Sequence, residues 1–175
     1  MRKPTTDLLK KIAVGGALVA TSWGAYAATQ GTVGATSSGT VLVELQVPVL
    51  AKISNLTDFI FPTFAGANMS ADRGACIYTN TGNYDLTITA SGGSFDMTDG
   101  TDFIPYAVSF SDGGAFGAIT YGGTVTSSNA ATVDNDCGGG GSTNATVRVE
   151  VDAVDASAVP QGTYNSTMTL LVSPV

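Results

Sequence analysis

The sequence predicts an all-β chain folded as an antiparallel β-sandwich, on three observations. Short runs of alternating apolar and polar residues recur along it, and they are rich in Val, Ile, Thr and Tyr. Clusters of Gly, Asp and Ser separate these runs. No stretch sustains a helical period.

The first 27 residues stand apart from that pattern. Arg2, Lys3, Lys10 and Lys11 form a positive lead, residues 12–20 form a short apolar run, and Ala25, Tyr26 and Ala27 give the small-residue spacing a signal peptidase reads. This predicts a signal peptide cleaved after Ala27. The alternative, a membrane anchor, needs about 20 apolar residues, more than this run supplies. No later stretch is long and apolar enough to insert stably in a membrane.

Residues 28–38 are small, polar and rich in Gly and Thr, the composition of a flexible arm. The clearest alternation in the chain follows, TVLVELQV at residues 40–47, with Val41, Val43, Leu45 and Val47 on one face and Pro48 behind them. A strand on a flexible lead is well placed to pair outside its own sheet. Residues 28–48 are therefore taken as arm plus pairing strand, and residues 49–175 as the sandwich domain.

Within that domain, residues 83–90 alternate on Tyr84, Leu86 and Ile88, and residues 104–110 make a run whose Pro105 suits a strand start or edge. Residues 145–152 and 163–172 alternate cleanly, while 53–64 and 75–79 are shorter and weaker. Turn clusters fall at 91–94, 99–100, 111–114, 121–123 and 137–142. The last contains four consecutive glycines and reads as a long loop, since too few strands follow it to make a second domain.

Composition narrows the function. The 175 residues include 7 Lys and Arg, 14 Asp and Glu and no His; 12% are charged, against about 25% in an average globular chain. Without His there is no Ser-His-Asp or Cys-His catalysis and no His-ligated metal. After cleavage Lys52, Arg73 and Arg148 remain against 13 acids, 3 − 13 = −10. Nucleic acid and anionic membrane are thereby disfavoured as partners, because both recruit Lys/Arg patches.

Cys76 and Cys137 are the only cysteines, and export to an oxidising compartment favours a disulfide between them over two buried free thiols. Asp134 and Asp136 faintly suggest a Ca²⁺ loop, but Gly138 holds the third acidic position and no distal Glu follows. The glycines are no phosphate cradle, as neither Lys-Ser/Thr nor a helix follows. Asp85, Glu150 and Asp152 alternate with apolar residues and read as solvent-facing acids; Asp96, Asp99, Asp102 and Asp112 read as turn acids. Tyr78, Tyr84, Tyr106 and Tyr121 are expected to pack against the core or a sheet face before lining a sugar groove. No catalytic residue, metal site or cofactor is expected.

Several pieces in order resemble archaic, Csu-type chaperone–usher pilins of the spore-coat-protein-U family. Residues 38–48 (SGTVLVELQVP) resemble the family's N-terminal donor segment. Residues 83–93 leading to 103–112 are similar to its central strand pair, and residues 159–172 to its closing strand. The chain departs from the pattern in lacking a Cys just after the donor segment, where it reads Val49, Leu50, Ala51 and Lys52, and in its longer arm.

The resemblance implies an immunoglobulin-like sandwich that lacks its last strand and is completed by donor-strand exchange. The inserting face would be Val41, Val43, Leu45 and Val47. Implied partners are a periplasmic pilus chaperone, an outer-membrane usher and identical or related pilin subunits, in a surface pilus serving adhesion and biofilm formation. The alternative is a secreted, self-complemented monomer acting as a coat or carbohydrate-binding protein; a periplasmic glycan hydrolase stands third.

Overall fold

Alternation becomes architecture where one face of each strand can be buried. A computed structural model describes residues 27–175, so the expected signal peptide lies outside the described residues except for Ala27. The chain divides into two units, Met1–Gln46 and Val47–Val175.

The second unit is built from β1 (Ala51–Ser54), β2 (Met69–Thr79), β3 (Tyr84–Ala90), β4 (Asp96–Thr98), β5 (Phe103–Pro105), β6 (Ala107–Ser111), β7 (Gly117–Ile119), β8 (Thr124–Ser127), β9 (Ala145–Val151) and β10 (Met168–Pro174), with one short helix, α1 (Ala153–Ser157). One sheet runs β1-β2-β9-β6-β7 and the other β10-β3-β8, with β4 and β5 as a small separate pair. Every ladder is antiparallel. The fold is an all-β, immunoglobulin-like sandwich.

The core is the sum of the inward faces. Tyr84, Leu86 and Ile88 on β3 meet Val147, Val149 and Val151 on β9 and Val108 and Phe110 on β6, all buried. The intervening residues of β3 and β9, such as Asp85, Arg148 and Glu150, lie outside this core, as strand period two requires. On the outer face Arg148 makes a bidentate pair with Asp72 at 2.7 and 2.8 Å and stacks over Phe116.

Cys76 and Cys137 are disulfide-bonded, with Cα atoms 5.9 Å apart. The tetraglycine belongs to this bond: Cys137 has φ 57° and Gly138 to Gly141 have φ 92°, 73°, 64° and 84°. A run in the left-handed region is cheap only for glycine, so these residues let the loop turn back immediately after the bond.

Five expectations change. The run 104–110 breaks into β5 and β6 around Tyr106. The closing strand begins at Met168, not 163, because residues 163–167 form a loop whose Asn165 bridges Thr98. The weak signal at 75–79 belongs to an 11-residue strand, and residues 153–157 form a helix whose Asp152 caps it by accepting from Val154 N–H at 2.9 Å. The alternating run 40–47 takes no ladder among the described residues; Thr40 exchanges two backbone hydrogen bonds with Thr29, and residues 41–47 form no strand.

Candidate functional site

A sheet ends at a strand with one row of backbone groups unpaired, and most end strands here are short. β1 and β8 have 4 residues each and β7 has 3. The exception is β10, with 7 residues, bonded among the described residues to β3 alone. No charged residue interrupts it and its single proline, Pro174, comes last. Proteins normally blunt such an edge with Lys, Pro, a bulge or brevity, and β10 uses none of these over Met168 to Ser173.

Hydrogen-bond parity shows which groups face outward. Ser91 N–H donates to the Thr167 carbonyl at 2.9 Å and Val175 N–H to the Asn83 carbonyl at 3.3 Å. In an antiparallel ladder alternate residues bond to the same neighbour, so Thr169, Leu171 and Ser173 face β3 with their backbone. Met168, Leu170 and Val172 turn theirs to the open edge. Their side chains are half-buried toward the core, while those of Thr169, Leu171 and Ser173 are exposed.

Beside this edge lies an open groove of about 990 Å³. Val147, Val149 and Val151 of β9 line it, with Met168 and Leu170 of β10 on one flank and the ladder-free segment 56–64 on the other. Phe59 and Phe61 of that segment pack on the core, whereas Leu56 and Ile60 are exposed. Arg73 holds the segment: its Nε donates to the Asp58 carbonyl at 2.8 Å and its guanidinium lies 5.6 Å from the Phe59 ring centroid. Tyr106 also lines the groove, its hydroxyl donating to Ser166 Oγ at 3.3 Å, and burial raises that phenol's pKa. The combination is an apolar trough beside a row of open backbone donors and acceptors, which suits an extended strand.

The expected inserting residues Val41, Val43, Leu45 and Val47 are exposed, at 77%, 86%, 85% and 66%. The chain that follows them is tied down at one pole of the sandwich. Leu50 N–H donates to Asn80 Oδ1 at 2.8 Å, and the Asn80 side-chain amide donates to the Pro48 carbonyl at 2.8 Å. At that same pole β2 ends, β3 begins and β10 finishes, with Pro174 opposite Tyr84. The opposite pole carries Met168 opposite Ala90 and Met69 opposite Val151.

The acids do not converge. Asp99 Oδ1 accepts from Thr101 and Asp102 N–H at 2.9 Å each, a turn role that lowers its pKa. Asp85 accepts from the Thr126 hydroxyl. The neighbouring carboxyls of Asp134 and Asp136 push the first pKa up and the second down. Among the described residues, no group of three or more His, Cys, Asp or Glu comes together as a metal site, and no helix is long and apolar enough to cross a membrane. Tyr84 and Tyr106 are core residues and Tyr121 packs edge-on to Phe95. Sequence reasoning missed Arg73, whose inward position opposite Val147 follows only from the β2–β9 register.

No protein-family profile matches the chain, and no curated protein sequence does. Solved structures do. A chain of the chaperone–tip adhesin complex of CFA/I fimbriae biogenesis superposes with a TM-score of 0.50 at 14% identity, over 71% of this chain and 41% of that one. A chain of the CsuC–CsuE chaperone–tip adhesion subunit pre-assembly complex, from the archaic chaperone–usher Csu pili of Acinetobacter baumannii, gives 0.42 at 19% identity, over 78% and 44%. The chain thus spans less than half the length of either solved chain. The first likeness is one of fold.

Proposed function

We propose that this chain is a structural subunit of a chaperone–usher surface pilus, polymerising head to tail by donor-strand exchange. The observation that carries the reading is the unprotected seven-residue edge of β10 beside an apolar groove, in a chain that also holds an exposed alternating segment of matching length. The fold likeness to a chain of a chaperone–tip adhesin complex supports a pilus role.

In this reading a periplasmic chaperone first covers the groove, and at the outer-membrane usher the donor segment of the next subunit replaces it. Val41, Val43, Leu45 and Val47 enter the trough. Burying four such side chains is worth about 6–12 kcal/mol before the ordering cost is subtracted, and ladder bonds to the open edge add to it. Each subunit donates one strand and accepts one, a heterologous contact that grows into a fibre. The exported fibre serves adhesion and biofilm formation, and the chain acts by binding rather than catalysis, with no cofactor.

The test compares the mature chain with one lacking residues 28–48, looking for SDS-resistant ladders and for fibres by electron microscopy. Ladders and fibres that require residues 28–48 are expected. A stable monomer from the full mature chain under assembly conditions would overturn the proposal in favour of the self-complemented alternative.

A further inference from the structure

We propose that Leu42 of an incoming copy pairs with Leu171 on the outer face of β10, and that this pair sets the register of insertion. The inference rests on the donor-strand reading and adds the alignment of the two strands.

Leu42 and Leu171 are large apolar side chains left exposed, at 53% and 59%. Each sits on the face of its strand that donor-strand exchange would not bury in the trough: Leu42 lies between Val41 and Val43, and Leu171 between Leu170 and Val172. Scattered exposed Leu residues need no explanation. These two would lie on adjoining strands of one sheet.

Direction comes from the poles. The chain's own lead is held by Asn80 at the pole where β10 ends. A donor parallel to β10 would bring its own domain to that crowded pole. An antiparallel donor brings Val47 to the Ser166 end, so that successive domains occupy opposite poles.

Parity then leaves three antiparallel registers that put Val43 in the trough opposite Met168, Leu170 or Val172. With Val43 opposite Met168, Leu42 faces Thr169 and Leu171 faces Thr40. With Val43 opposite Val172, Glu44 lies against Leu171. Only Val43 opposite Leu170 pairs Leu42 with Leu171 and sets Glu44 beside Thr169, with Val41 on Val172 and Leu45 on Met168. Because Leu171 bonds its backbone to β3, Leu42–Leu171 is a non-hydrogen-bonded pair, the kind whose Cα atoms approach to about 4.5 Å and whose side chains meet most closely. That spacing also falls within the range a disulfide accepts.

The test introduces paired cysteines into the full mature chain, Leu42→Cys with Leu171→Cys and, separately, Glu44→Cys with Thr169→Cys. The native bond is shielded, as Cys76 is fully buried. Polymers are boiled in SDS with and without reductant. A ladder that survives boiling and is lost on reduction is expected for both pairs, and for neither Leu42→Cys with Thr169→Cys nor Leu42→Cys with Ser173→Cys. Preferential cross-linking of either alternative overturns the register while the pilus reading stands. Absence of any polymer from the unmodified chain overturns both. As a second measure, Leu171→Glu should weaken polymerisation at least tenfold and added Leu42→Lys should restore it; failure of rescue also contradicts the pair.

Discussion

Asn80 and Leu50 exchange two hydrogen bonds, Leu50 N–H to Asn80 Oδ1 at 2.8 Å and Asn80 N–H to the Leu50 carbonyl at 3.2 Å. With the further bond to the Pro48 carbonyl, the Asn80 side chain makes two of the three bonds that hold residues 48–50. Asn80→Ala is expected to cost at most about 1.5 kcal/mol, because the bonds are exposed. It should speed hydrogen exchange at Leu50 while leaving the β3 and β9 amides protected.

Val43 and Leu45 are almost fully exposed in the single chain, so Val43→Asp or Leu45→Asp is expected to change subunit stability by less than about 0.5 kcal/mol. Under the proposed donor-strand exchange, the same changes would place a charge in the trough of the next copy. Gel filtration and electron microscopy should show monomers or chaperone-bound subunits in place of fibres.

Cys76 and Cys137 close a loop of sequence separation 61. Chain-entropy reasoning values that closure at about 4 kcal/mol. Replacing both by Ser, in the Val43→Asp background expected to block polymerisation, should lower the urea midpoint by a corresponding amount without changing the β-sheet circular dichroism of the chains that remain folded.

The Arg148 hydrogen bond holds the Asp72 carboxyl below its ordinary pKa. A depressed folded-state pKa contributes stability that is complete above the unfolded value, about 3.9, and is lost as pH falls through the lower folded one. The side chains are 32% and 45% exposed, which limits the pair to about 0.2–1 kcal/mol. Asp72→Asn should therefore destabilise slightly at pH 7, and the difference from the parent should vanish toward pH 2.

Sequence patterns revealed those parts of the fold whose signal lies within one run of residues. β3 and β9 each bury one face only, so their alternation is plain, and the glycines after Cys137 mark a turn. β2 was only partly visible because Asp72, Arg73 and Gly74 interrupt its apolar pattern; its register against β9 places Arg73 inward. Helix α1 spans 5 residues, too few to establish a period. The alternation of Val41, Val43, Leu45 and Val47, the face proposed to insert, was legible in the sequence, but the groove was not. Segment 56–64, β9 and β10 build it from places far apart in the chain.

The open edge of β10 is tested most directly by residue-resolved hydrogen exchange on fibres and on the Val43→Asp subunit, which is expected to stay unpolymerised. In the subunit, Thr169, Leu171 and Ser173 amides should be protected by β3, while Met168, Leu170 and Val172 exchange quickly. In the fibre, those three amides and alternate amides of residues 41–47 should slow together. Fibres in which Met168, Leu170 and Val172 still exchange as fast as in the subunit would contradict strand insertion at β10.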